Sequence, residues 1–214
     1  MIVTDAVSEY LARSRAQPDG VLAEMEQQAE REEIPIVVPE TGALLHVLAL
    51  ACRARRVLEV GTAIGVSTLY LARAMPPDGE LVSFEIDAAR QRDARAYLER
   101  AGVADRVDLR LQDAREGLRA LSGEFDFAFL DGVKVQYGDY FDGVLPLLRP
   151  GAVLAVENVL RRGAVAEGSS DFLSHEEIAT ARAFNQRLLT HEELTATITP
   201  VGDGVLIAVK ADLR

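Results

Sequence analysis

A chain of 214 residues with 49% hydrophobic content is long and apolar enough to close one sizeable core, so a single domain over residues 1–214 is expected. A formal net charge of −11 weighs against a broad nucleic-acid-binding face. The lone Cys52 excludes an internal disulfide, no eighteen-residue apolar run reads as a membrane span, and residues 1–16 lack the apolar core of a secretory signal, so no membrane association and a cytoplasmic location are expected. Residues 3–14 place Val3, Ala6, Val7, Tyr10 and Leu11 at helical spacing. Pro18-Asp19-Gly20 breaks that helix, and residues 21–32 predict a charged second one with Leu22, Met25 and Ala29 on one face. Residues 34–39 read as extended, because each proline disfavours helix in the residue before it. Residues 40–51 predict a third helix. His46 within it is read as a satisfied core or interface histidine, since no Asp, Glu or Cys ligand pattern surrounds it.

The next stretch, residues 56–68, organises the chain. Val57, Leu58 and Val60 suit a buried parallel strand. Glu59 interrupts that run, and a carboxylate there is costly unless paired. Gly61 and Gly65 allow a sharp turn and a close ligand approach. Ser67 and Thr68 read as caps of the following helix. The spacing is E-x-G-x-x-x-G, so neither the G-x-G-x-x-G dinucleotide fingerprint nor a P-loop is present. The stretch resembles motif I of the class I S-adenosylmethionine-dependent methyltransferases.

Residues 75–79 form a strong turn, and residues 80–86 predict the second strand. An acid at its end suits a ribose, whose two hydroxyls a carboxylate accepts, and Glu85 takes that part. Asp87 reads as the cap of a helix over 88–101. Residues 107–111 predict strand three. Asp113 either accepts from an adenine amine or caps a helix over 115–121, and the sequence leaves the two equal. Residues 125–130 predict strand four, ended by Asp131, with Lys134 and Tyr137 beyond. A helix over 140–148, a stop at Arg149-Pro150-Gly151, strand five over 152–156 and an irregular loop over 159–170 follow. A helix over 175–189 precedes a hairpin of 194–200 and 205–209. Five βα units and a hairpin give an α/β fold with a mostly parallel sheet and one antiparallel strand.

Asp131 at the end of strand four and Glu157-Asn158 at the end of strand five should converge, because the two strands should be neighbours. Oxygen-only ligands select a hard divalent ion, Mg2+ first, with Mn2+ or Ca2+ as the other candidates.

The whole pattern from Val37 to Lys210 resembles the cation-dependent O-methyltransferase family of the catechol and caffeoyl-CoA type. Its most specific pieces are residues 57–62, residues 126–131 with Lys134 and Tyr137, Glu157-Asn158 and residues 200–204. The resemblance implies a Rossmann-like class I fold, with a seven-stranded sheet, a C-terminal antiparallel hairpin and helices on both faces. Residues 1–40 are then a helical lid or dimerisation segment of a homodimer. It implies S-adenosylmethionine contacts at Val37, Glu59, Gly61, Thr62, Ser67, Glu85, Ala114 and Asp131, and a metal at Asp131, Glu157 and Asn158. The family carries Asp where this chain has Glu157. Lys134, with Asp131 beside it, is the implied catalytic residue, either taking the hydroxyl proton or stabilising a phenolate. The implied acceptor is a small hydroxylated molecule with adjacent oxygens. Arg162 falls where the family can meet substrate, which allows an anionic acceptor. Similar chains methylate a hydroxylated uridine of tRNA, so that acceptor, and a non-catalytic cofactor-binding scaffold, stand as alternatives.

Overall fold

The computed structural model describes residues 5–15 and 17–212. Seven strands build one sheet in the order β3-β2-β1-β4-β5-β7-β6. They are β1 (Arg56–Val60), β2 (Glu80–Glu85), β3 (Val107–Leu111), β4 (Phe125–Leu130), β5 (Leu148–Val156), β6 (Leu194–Thr199) and β7 (Val205–Lys210). The first five run parallel, and β7 alone is antiparallel, to both β5 and β6. The expected fold class therefore holds. Val60 is level with Phe84 and with Leu130, and Leu130 with Val156. That register brings the carboxyl ends of β2, β1, β4 and β5 side by side. Strand order reverses between β1 and β4, the point outside which open α/β sheets bind ligands.

Alternation along the strands splits the core into two. Val57, Leu81, Phe127, Phe129 and Val153 face α2 (Gly20–Glu32), α3 (Pro39–Ala51), α4 (Val66–Ala74) and α5 (Ala88–Arg100). Leu58, Val82, Ala128, Leu154 and Leu206 face α6 (Ala114–Arg119), α7 (Tyr137–Val144) and α9 (His175–Leu189). The remaining helices are α1 (Asp5–Ser14) and the short α8 (Ala164–Glu167). Local chemistry sets the helix starts. Asp19 accepts from Leu22 N at 2.9 Å to cap α2, Asp87 caps α5 through Ala89 N and Arg90 N, and Ser174 with Glu177 closes a capping box on α9. Each such cap is worth about 1 kcal/mol.

Several boundaries differ from the sequence reading. Helix α4 starts at Val66, with Gly65 as an uncapped N-cap, because the Thr68 hydroxyl turns inward to Glu59. Helix α7 starts at Tyr137 rather than 140. Strand β5 starts at Leu148, since Phe125 pairs with Leu148 and a register shift before Phe127 takes up Arg149-Pro150-Gly151. The loop after β5 contains a turn of 3-10 helix at Arg161–Gly163 and α8. Val3 lies outside the described residues. His46 Nδ1 meets the Tyr70 carbonyl at 2.9 Å, the satisfied state expected for it. Among the described residues no helix is long and apolar enough to cross a membrane.

Candidate active site

The turn after β1 is built from the backbone outward. Gly61 has φ +99, and a Cβ there would lie 2.4 Å from the Asp131 carbonyl oxygen, so only glycine lets the β1 and β4 ends approach this closely. Gly61 N and Thr62 N both donate to the Phe84 carbonyl, tying the turn to β2. Beneath it lies a chain of hydroxyls. Ser83 Oγ donates to Glu59 Oε2 at 2.6 Å, so the 2.5 Å contact between Thr62 Oγ1 and Ser83 Oγ uses the Thr62 hydrogen. Thr68 Oγ1 donates to the same oxygen at 2.5 Å. Glu59 is fully buried, and its Oε1 has no partner. Burial pushes its carboxyl above the usual range, against the pull of the Ser83 and Thr68 hydroxyls that bond Oε2.

A cleft of about 400 Å³ opens at the strand ends. Val37, Gly61, Thr62, Ser67, Glu85 and Ala114 all line it, as do Asp131, Lys134, Glu157 and Asn158. Glu59 is not among the residues that line it and lies fully buried beneath the turn. It points to the opposite side of β1 from Leu58 and Val60 and props the turn from below. Glu85 accepts three backbone hydrogens, from Ala63 N at 2.7 Å, Ile86 N at 2.8 Å and Asp87 N at 2.9 Å. Its carboxylate is thereby fixed at the cleft edge. Asp113 accepts from Arg115 N at 2.8 Å and pairs with the Arg115 guanidinium, so the capping alternative is realised at the cleft rim. Pro35 and Ile36 join Val37 on the wall opposite.

At the β4 and β5 ends two carboxylates share one buried neighbourhood. Burial raises the Asp131 carboxyl, which Lys134 opposes by pairing with its Oδ1. Lys134 Nζ also donates to the Tyr137 hydroxyl at 2.8 Å. Tyr137, itself buried and held well above the usual phenol range by that burial, donates to the Glu157 carbonyl oxygen at 3.2 Å. Burial, then the Asp131 charge, pushes Glu157 up to about 8. Thr41 Oγ1 donates to Glu157 Oε1 at 3.4 Å, while the buried Oε2 has no partner. A Cβ on Gly202 would fall 2.7 Å from Thr41 Oγ1 and 3.0 Å from Glu157 Oε1, so the hairpin turn packs directly on this group. Asn158 takes a left-handed φ of 56°. Among the described residues no group of three or more His, Cys, Asp or Glu side chains gathers as a metal site. The donor set here is two carboxylates and an amide. A buried carboxylate oxygen without a partner, beside a second acid, is the condition that a hard cation relieves. The residues fit such an ion.

A second cavity, of about 340 Å³, adjoins the first and shares Lys134 and Asn158 with it. Tyr137, Phe184 and Leu173 give it an apolar wall, and Arg161 gives it a cation. Arg162 lines neither cavity and stacks over Phe172 at 5.2 Å. Sequence reasoning missed Arg161 and Thr41. Nothing in two adjacent arginines marks which one turns inward. Thr41 was legible only as a helix start.

A family model described as "O-methyltransferase" matches residues 13–211. A catechol O-methyltransferase of Niastella koreensis is 35% identical, covering 97% of this chain and 97% of its own length. A catechol O-methyltransferase of Mycobacterium tuberculosis is 36% identical over 95% and 94% of the two chains. Among solved structures, the O-methyltransferase TomG from Streptomyces achromogenes, involved in tomaymycin synthesis and crystallised with S-adenosylmethionine, superposes with a TM-score of 0.85 at 33% identity, covering 97% and 96% of the two chains. The glycine turn, the acid at the end of β2 and the oxygen cluster at β4 and β5 are thus set in a chain that belongs to the O-methyltransferase family.

Proposed function

We propose that this protein moves the methyl group of S-adenosylmethionine to a hydroxyl of a small, catechol-like acceptor whose two adjacent oxygens can chelate a metal. The observation that carries the reading is the union of two cavities at Lys134 and Asn158, one suited to the cofactor and the other to an acceptor. Val37, Gly61, Thr62, Ser67, Glu85, Ala114 and Asp131 are the proposed cofactor contacts, with Glu59 supporting the turn. The Glu85 carboxylate accepts ribose hydroxyls, and Asp131 sets a negative charge beside the cationic cofactor.

Asp131, Glu157 and Asn158 are the proposed holders of a divalent ion, Mg2+ first, which supplies Lewis acidity toward the acceptor oxygens. Lys134 controls the charge on the reacting oxygen. As an amine it takes the hydroxyl proton, and as an ammonium it neutralises the phenolate. Tyr137 fixes Lys134 at hydrogen-bond distance. The acceptor oxygen forms the new C–O bond as the methyl–sulfur bond breaks, leaving S-adenosylhomocysteine. The cleft supplies alignment and water exclusion, the main sources of rate for such a displacement.

Residues 1–40 are proposed to act as lid and dimerisation segment of a cytoplasmic homodimer. Pro35, Ile36 and Val37 on the cleft wall support the first part, and exposed Tyr10 and Leu11 of α1 with Val47 and Leu50 of α3 support the second. The test is transfer from labelled S-adenosylmethionine to a panel of 3,4-dihydroxylated aromatics and their monohydroxy analogues. Transfer confined to the vicinal diols is expected. Binding of the cofactor with no transfer to any acceptor would contradict the reading.

A further inference from the structure

The two oxygens of the Glu157 carboxylate are treated differently by their surroundings. The side chain is buried at the end of β5, where Oε1 accepts from the Thr41 hydroxyl at 3.4 Å and Oε2 has no partner. A buried carboxylate oxygen left alone is costly unless a donor or a cation reaches it. One oxygen of this carboxylate is therefore already directed and the other is open, and Thr41 decides which is which.

Thr41 is fully buried in the first turn of α3, 116 residues before Glu157 in the chain. Its contact with Oε1 is longer than an ordinary O–H···O bond of about 2.8 Å, so it steers the carboxylate more than it binds it. Direction is what a glutamate needs. Its side chain has several rotatable bonds, and a ligand that must freeze them on meeting an ion holds that ion less well than one already oriented. The start of α3 helps in a second way. The helix begins at Pro39 with no side-chain cap, and the positive end of its dipole favours the charged form of the carboxylate beside it.

The turn between β6 and β7 supplies the room. Gly202 has φ +57, and a Cβ there would stand 2.7 Å from Thr41 Oγ1, 3.0 Å from Glu157 Oε1 and 3.2 Å from Val38 Cγ2. Any side chain at this position would push into the contact itself. Three distant parts of the chain, the first turn of α3, the end of β5 and the hairpin turn, are thus fitted around one hydrogen bond.

We infer that Thr41 is a positioning residue for the ion: its hydroxyl, given room by Gly202, holds Glu157 Oε1 and leaves Oε2 as the donor oxygen. This rests on the reading of Asp131, Glu157 and Asn158 as holders of a divalent ion, and it adds the residue of α3 that orients the longest of the three.

The test titrates Mn2+ alone into the full chain and follows free Mn2+ by electron paramagnetic resonance, with no acceptor and no turnover involved. Thr41→Val keeps the volume and Thr41→Ala relieves it, and both remove the hydroxyl. Each is expected to lower Mn2+ affinity by about tenfold, the low end for an outer partner of a metal-ligating carboxylate. Thr41→Ser retains the hydroxyl and is expected to bind within about twofold of the wild type. Glu157→Ala is expected to weaken binding more than any Thr41 variant. Glu157→Asp withdraws the carboxylate from Thr41 by one methylene, so Thr41→Val is expected to add nothing in that background, a pattern that a merely structural Thr41 would not give. Wild-type affinity in both Thr41→Val and Thr41→Ala, a loss at Thr41→Ser equal to theirs, or a full further loss in the Glu157→Asp background overturns the inference. If Glu157→Ala has lost affinity in the same series, the ion reading still stands. A wild type that does not bind Mn2+, or a Glu157→Ala variant that binds as tightly, overturns the ion reading and the inference with it.

Discussion

Lys134 Nζ donates to the Tyr137 hydroxyl at 2.8 Å, and that hydroxyl passes its own hydrogen to the carbonyl oxygen of Glu157 at 3.2 Å. One phenol therefore ties the proposed proton handler to the strand end that carries the proposed metal ligands. Tyr137→Phe keeps the ring against Phe184 and deletes both bonds. A loss of about tenfold in kcat, with KM for the cofactor unchanged, is expected from two hydrogen bonds of ordinary strength. Steady-state kinetics in both substrates checks this. A change confined to cofactor KM would place the role of Tyr137 elsewhere.

Gly61→Ala tests the close approach of β1 and β4. The added Cβ would sit 2.4 Å from the Asp131 carbonyl oxygen at a φ of +99, so the backbone must move. A stability loss of about 2 kcal/mol or more and weakened S-adenosylmethionine binding are expected together. Denaturant unfolding and calorimetric titration read the two effects.

Glu59 predicts a pH signature. Burial raises its carboxyl in the folded state, so the native chain holds this proton to higher pH than the unfolded chain. Its contribution to stability is then full below the unfolded value, about 4.3, and is lost as pH rises toward the folded value. Glu59→Gln removes the titration while keeping an acceptor for Ser83 and Thr68. The stability of the variant relative to the wild type is expected to climb as pH is raised from 4.5 to 8. Thermal midpoints across that range decide it, and a flat difference would mean that Glu59 is not held protonated.

The adjacency of β4 and β5 and the gathering of Glu85, Asp131 and Glu157 were legible because each acid follows a run of apolar strand residues, and parallel register then makes them neighbours. The face of β1 that Glu59 occupies was not legible. A motif gives its position in the chain, whereas the face of β1 it occupies depends on which side the Thr68 and Ser83 hydroxyls approach from. The start of α7 was placed three residues late, although Tyr137 and Phe141 bury one face of that helix. The choice between Arg161 and Arg162 rests on paired left-handed residues held by Asn185 and Asp203, contacts from distant parts of the chain. Local sequence carries no trace of them.

Glu157 also sets how metal binding responds to acidity. Its carboxyl, at about 8 when no cation is present, must lose its proton to become a ligand. Mg2+ affinity is expected to rise by about tenfold per pH unit between pH 6 and pH 8 and to level off above. Glu157→Asp, which keeps the carboxylate on a shorter arm, is expected to keep metal-dependent turnover. Isothermal titration with Mg2+ at stepped pH measures the slope, and a pH-independent affinity would contradict a ligand role for Glu157.

The most direct measurement is methyl transfer from labelled S-adenosylmethionine to a 3,4-dihydroxylated aromatic, with Mg2+ or with chelator, for the wild type and for Glu157→Ala. Transfer that disappears with chelator, and that the substitution lowers by about a hundredfold or more, is the predicted result for a site whose oxygen cluster holds the ion. Transfer that continues at the same rate in chelator, and survives Glu157→Ala, would contradict the metal-assisted account and leave Lys134 to handle the proton alone.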